Sequence, residues 1–140
     1  MRTWLYFPLL LLGCIFIMSG CKKTTNEYVI PNQTILYEIN PADWQRNTSD
    51  GSYTYSISVP ELQNVNQTDA VIVSMARYVA GSNAAPQEYE LLPEVFNHQS
   101  YNVLHDNKYV FLQILGIEGY AAAVPPTRVR IKIVLIPSVQ

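Results

Sequence analysis

Ser52-Tyr53-Thr54-Tyr55-Ser56-Ile57-Ser58-Val59 is the stretch whose reading decides the fold. Tyr53, Tyr55, Ile57 and Val59 fall on one side of an extended chain, and Ser52, Thr54, Ser56 and Ser58 on the other. A strand repeats every two residues, so this alternation describes a strand with one apolar face and one polar face. Ser49-Asp50-Gly51 supplies turn chemistry before it, and Pro60 closes it.

The same grammar extends in both directions. Thr34 to Ile39 reads as a strand stopped by Asn40-Pro41, and Pro41 to Gln45 suits a single helical turn. Ala70 to Val79 reads as a longer strand, apolar on both sides at Val71-Ile72-Val73, which places it centrally in a sheet. After a loop at Gly81 to Pro86, Glu88 to Leu92 is a short strand ended by Pro93. Tyr101 to Leu104 and Lys108 to Leu115 form a hairpin around His105-Asp106-Asn107. A second loop, Gly116 to Pro126, leads to a last strand from Arg128 to Ile136.

Beyond the first 20 residues no 3.6-residue period is sustained and no internal repeat occurs. The pattern predicts an all-β domain, a single antiparallel β-sandwich of about seven or eight strands. Barrel closure is the alternative, because alternation does not distinguish two facing sheets from one closed sheet.

The chain begins differently. Arg2 precedes an apolar run from Trp4 to Met18, and Met18-Ser19-Gly20 leads into Cys21. This is the layout of a secretory signal peptide, and it resembles the lipobox of bacterial lipoproteins. The resemblance implies that the Cys21 thiol receives a diacylglyceryl group and that cleavage leaves Cys21 first. An uncleaved anchor is the competing reading, but the run is about 15 residues long and contains Pro8, short of the roughly 20 that a spanning helix needs. The expected organisation is therefore 1–20 signal peptide, 21–27 acylated tether and 28–140 sandwich.

Loss of residues 1–20 leaves eight Lys and Arg against 11 Asp and Glu. That balance gives no basis for nucleic-acid binding. With Cys14 removed and Cys21 acylated, no thiol remains for a disulfide, a nucleophile or a thiolate metal site. Stability must come from packing.

Candidate site residues are few. Arg128, Arg130 and Lys132 share one face of the last strand; they suit either anionic headgroups or an acidic partner, or form the solvated outer face of a sheet. Trp44, Tyr78, Tyr89, Tyr101 and Tyr120 lie near strand ends or loops, where aromatic rings build ligand platforms for sugars, although strands use aromatics for packing too. His98 and His105, with Asp106 and Glu94, offer a two-histidine, one-carboxylate set without any recognised ligand spacing. Glu88, Glu90 and Glu94 are the carboxylates to consider for paired acid–base work. There is no GxSxG, P-loop or GxGxxG. Asn32, Asn47 and Asn66 open Asn-x-Ser/Thr triplets, which a bacterial envelope normally leaves unmodified.

The lipobox, Tyr37-Glu38-Ile39-Asn40-Pro41-Ala42-Asp43-Trp44, Tyr53 to Pro60, Val71 to Tyr78 and Leu91-Leu92-Pro93 together resemble small lipoproteins of Bacteroidota. In that group a strand, a short turn and Asp-Trp open an immunoglobulin-like sandwich, and many members have no assigned function. The resemblance implies an outer-membrane anchor and carries over no catalytic, metal or cofactor residue. Lys22 after the cysteine is compatible with forwarding to the outer membrane, and Lys22 to Asn26 lacks an acidic export cluster, which favours the periplasmic leaflet. The expectation is a non-enzymatic lipoprotein bound to membrane lipid through Cys21. It acts as a structural or protein-interaction domain, or alternatively as a glycan-binding accessory.

Overall fold

The computed structural model describes residues 31–64 and 69–138. The expected signal peptide, Cys21 and the expected tether lie outside the described residues, as do residues 28–30 of the expected domain. Nine strands are described: β1 (Gln33–Ile39), β2 (Gln45–Arg46), β3 (Tyr53–Ser58), β4 (Ala70–Arg77), β5 (Glu90–Leu91), β6 (Glu94–Phe96), β7 (Gln99–His105), β8 (Tyr109–Gly116) and β9 (Val129–Ile136). They form two antiparallel sheets, one ordered β1-β9-β4-β5 and the other β2-β3-β8-β7-β6. The inner faces of both sheets share one apolar core, so the domain is a sandwich rather than a closed barrel.

Each sheet buries its inner row because the alternation places it there. On β9, Val129, Ile131, Ile133 and Leu135 are buried, and on β8 so are Val110, Leu112 and Ile114. From β3 and the turn after it come Ile57, Val59 and Leu62, and from β4 come Val73 and Met75. Removing this apolar surface from water is the main stabilising term.

The count of seven or eight strands needs correction to nine described ones. The two additions, β2 and β6, are only two and three residues long, and the expected strand from Glu88 to Leu92 contracts to the two-residue β5. Such segments carry too few residues to show a period. The central placement of Ala70 to Val79 holds only in part. β5 pairs with β4 at Ser74 and Met75 alone, and Ile72 on the outer face stays 39 % exposed. Ser52, expected to face outward, is buried instead. Its N–H and Oγ–H both donate to Asp50 Oδ1, at 2.9 and 2.7 Å, so it belongs to the turn.

The chain passes between sheets at both edges. At one edge it leaves β1, makes a 3₁₀ turn at Pro41–Asp43 and enters β2. Pro41 opens the turn, where a missing N–H costs nothing. Asp43 Oδ2 accepts from the Asn40 N–H at 2.8 Å, and the Asp43 N–H donates to the Asn40 carbonyl at 3.0 Å. At the opposite edge, Leu92-Pro93, a cis peptide, joins β5 to β6. Here Arg77, at the end of β4, donates to Glu90 on β5 and to Glu94 on β6.

The loop from Ile117 to Pro126 is held down by a side chain that behaves like a piece of backbone. Gln99 is buried; its Nε2 donates to the Ala121 carbonyl at 3.1 Å, and its Oε1 accepts from the Ala123 N–H at 2.9 Å. A buried amide satisfied at both ends fixes the loop without an unpaired polar group. The loop doubles back so closely that a Cβ on Gly116 would stand 1.9 Å from the Tyr120 carbonyl oxygen, so only glycine fits there.

A hydroxyl bridge ties the first edge. Tyr37 on β1 and Tyr55 on β3 hold their hydroxyls 3.0 Å apart, and the Trp44 ring lies against Tyr55 at 6.1 Å. The hydrogen bond to Tyr37, with burial added, pushes the Tyr55 hydroxyl up to about 12. The fold thus favours the neutral phenol. Its contribution is whole below about pH 10, where unfolded tyrosine also keeps its proton, and is lost as pH rises through about 12. Urea midpoints measured from pH 9 upward should therefore fall more steeply for the wild type than for Tyr55→Phe; parallel curves would remove this assignment.

Among the described residues no helix is long and apolar enough to cross a membrane.

Candidate functional site

The outer face of the four-stranded sheet carries the chemistry. Alternation along β9 sends Arg130 and Lys132 outward, followed by Val134 and Ile136, opposite the buried row, and Arg128 stands just before the strand. Register supplies their neighbours. Glu38 on β1 stands beside Arg130, and Leu36 beside Lys132. Across β9, Ala76 of β4 faces Arg130 and Ser74 faces Lys132, and Ser74 in turn pairs with Leu91 of β5.

One carboxylate organises the upper part of this face. Arg130 Nη2 and Nε donate to Glu38 Oε1 at 2.6 and 3.2 Å, and Arg128 Nη1 lies 3.1 Å from Glu38 Oε2. The Tyr78 hydroxyl donates to the same Glu38 Oε1 and accepts from Arg130 Nη2 at 2.7 Å. The hydrogen bond from Tyr78, then that from Arg130, holds the Glu38 carboxyl below its ordinary value. The bond to Glu38 pushes the Tyr78 hydroxyl up. Glu38 is thereby an ionised anchor rather than a proton donor or acceptor near neutral pH.

Cations also sit on the rings. Arg128 Cζ is 4.1 Å from the Tyr78 centroid, and Lys132 Nζ is 4.1 Å from that of Tyr89. Both are cation–π distances. With three cations against Glu38, the face is net positive on a chain whose formal charge is −2. Lys132 is the cation farthest from that carboxylate along β9. Around it the surface is apolar: Leu36 is 55 % and Leu91 65 % exposed.

Beside Arg128 the face opens into a shallow pocket of about 370 Å³, lined by Asn40, Pro41, Tyr78, Ser82, Asn83 and Thr127 among others. Thr127 Oγ1 donates to the Tyr78 carbonyl at 2.8 Å, which fixes the floor. Glu90 and Glu94 do not line this pocket.

The five aromatic candidates are not brought together. Tyr78 and Tyr89 reach the basic face. Trp44 and Tyr101 are buried in the core, so the expectation that they lie on a ligand platform is corrected. Tyr101 is an inner-face residue of β7, opposite Ile114, and its spacing from Gln99 and Val103 was the available signal. Trp44 closes the first 3₁₀ turn, and its buried Nε1 finds no acceptor among the described residues. Tyr120 is exposed but stacks on His98, with centroids 4.0 Å apart.

The histidine set does not assemble either. His98 precedes β7 and His105 ends it, about 20 Å apart along an extended strand. His98 Nδ1 pairs with Glu118 at 3.0 Å, and His105 Nδ1 approaches the Asp106 carbonyl at 3.3 Å. Among the described residues no group of three or more His, Cys, Asp or Glu is placed to hold a metal ion. Glu90 and Glu94 do converge, but on Arg77. Burial pushes the Glu94 carboxyl up in spite of the guanidinium beside it.

Sequence reasoning found the basic stripe and missed its counter-ion. Glu38 lies 92 positions before Arg130, and only strand register brings the two together. The chain matches no family model, no curated protein and no solved structure.

Proposed function

We propose that this chain is a non-enzymatic lipoprotein of a bacterial cell envelope. Acylated Cys21 anchors it to the outer membrane, on the periplasmic leaflet. Its sandwich, immunoglobulin-like in the terms of the Bacteroidota resemblance, works by surface contact. The observation that carries this reading is the outer row Leu36–Lys132–Ser74–Leu91. It runs across all four strands of one sheet, with an exposed leucine at each end and a cation between them. Two exposed leucines on either side of a positive charge suit contact with another surface.

The anchor rests on the spacing of Arg2, the apolar run and Met18 to Cys21. Residues 22–27 make a tether that keeps the domain within roughly 20 Å of the bilayer. Confinement on that scale raises its effective concentration for anything else at the membrane. Contact is favoured over glycan binding because Tyr78 is only 5 % exposed, and Arg128 and Lys132 each sit over one face of Tyr78 and Tyr89. A sugar would have to displace both cations to stack there.

The test is fractionation and intact mass of the full-length protein expressed in a Gram-negative host. The wild type should sediment with outer membrane and carry diacylglyceryl mass on a chain beginning at Cys21. Cys21→Ser should move to the soluble periplasmic fraction. Equal membrane retention of Cys21→Ser, or a chain still beginning at Met1, would overturn the proposal.

A further inference from the structure

We infer that the occupant of this face is an anionic lipid surface: the sheet β1-β9-β4-β5 lies down on the bilayer to which the chain is tethered. The inference rests on the envelope reading above and names the surface contacted.

Charge is the first argument. Arg130 and Lys132 project from β9 and Arg128 immediately precedes it, and Glu38 is the carboxylate paired with the two arginines. Phosphate headgroups complement such a stripe, each nearby Lys or Arg adding roughly fivefold to binding. The same stripe disfavours a second copy as occupant, since a two-fold contact through this face would set the cations against their own images.

The apolar pattern is the second. Leu36, Ile72 and Leu91 are 55, 39 and 65 % exposed on this face, and Val134 lies in register with Thr34 and Ile72. Apolar side chains interleaved with snorkelling cations are what an interfacial surface needs, because the stems enter the headgroup region while the charges meet phosphate.

Chain geometry is the third. β1 is an edge strand of this sheet and the first described strand after Cys21, which Gln33 follows by 12 positions. Twelve residues span at most about 40 Å, whereas the eight residues of β9 cover about 27 Å. The whole stretch between Cys21 and β1, tether and following residues together, is therefore long enough to let the sheet lie flat.

The chain from residue 21 onward, carrying Cys21→Ser so that no acyl group contributes, is the material for the test. It contains every residue of the core, which runs from Ile39 to Leu135. Co-sedimentation with phosphatidylglycerol-containing vesicles should exceed that with phosphatidylcholine vesicles and should fall as salt is added. Lys132→Glu should weaken binding to the anionic vesicles about twenty-five-fold, two charge units at roughly fivefold each. Leu36→Ser with Leu91→Ser should weaken it at high salt as well as low. Lys108→Glu, in the turn between β7 and β8, should bind as the wild type does, and unchanged thermal unfolding confirms that each variant is folded. Equal binding to both vesicle types, or wild-type binding by Lys132→Glu, would overturn the inference. So would inert vesicles together with capture of an acidic envelope protein through Lys132. Because this chain carries no lipid, failure here leaves the Cys21 anchor standing, and failure of the fractionation test leaves this binding standing.

Discussion

Arg77→Ala is expected to destabilise the sandwich by about 3 kcal/mol, read as a lower urea midpoint with an unchanged slope. The guanidinium sits where the chain crosses from β5 to β6, and it reaches Glu90 in one sheet and Glu94 in the other. Its Cζ lies 4.1 Å from the Phe96 ring and 5.1 Å from the Tyr101 ring. Arg77 and Glu94 are only 20 and 13 % exposed at their side chains, so water cannot replace the lost partner freely. Truncation leaves the Glu94 carboxylate desolvated and uncompensated, and empties the space over two aromatic rings. Fully buried pairs lose 3–5 kcal/mol when one partner is removed; partial exposure of this one argues for the low end. Arg77→Met with Glu94→Leu should recover most of the loss, since a matched apolar pair leaves no stranded charge. If Arg77→Ala unfolds at the wild-type urea concentration, the crossover is held by packing alone.

That crossover shows where the sequence stops being legible. The strands at Ser52 to Val59 and Arg128 to Ile136 could be read because eight or nine residues of strict alternation have one physical explanation, a half-buried strand. The short β2 and β6 could not, since two or three residues hold no period and pair only because longer neighbours present an edge; β5 could be placed but not bounded, because it keeps only two of the five residues from Glu88 to Leu92. Arg77, Glu90 and Glu94 were all visible in the sequence, yet their convergence depends on two sheets meeting at one edge. Gln99 is a sharper case. A glutamine at the start of a strand looks solvent-facing, and only the return of the 117–126 loop gives its amide two backbone partners. For the site, the outward Arg128, Arg130 and Lys132 followed from parity. Their partner Glu38 did not, because register between distant strands is set by the whole core. Trp44 and Tyr101 were misplaced by nearness to strand ends, a weaker guide than which face of the strand they occupy.

Ile131→Ala is expected to cost about 4 kcal/mol, within the 2–5 range for deleting a large aliphatic side chain from a packed core. Ile131 is fully buried on β9, which is hydrogen-bonded on both sides, and its register partners are Tyr37 on β1 and Met75 on β4. Strands flanked on both sides cannot move inward to close a cavity without breaking two ladders, so the space stays open and the loss is large. Ile72→Ala, also aliphatic but outward-facing and 39 % exposed, should cost less than about 1 kcal/mol. The contrast bears on function as well as on stability, because β9 presents core on one face and cations on the other. A one-residue slip would exchange Ile131 and Ile133 for Arg130 and Lys132, so the core that resists Ile131→Ala also aims the basic stripe outward. Chemical denaturation of both variants, with vesicle binding measured on Ile72→Ala, separates these roles. Similar losses of stability for the two would mean that β9 is not the packed centre of the sandwich. Stable Ile72→Ala with weakened vesicle binding would place its side chain in the lipid contact.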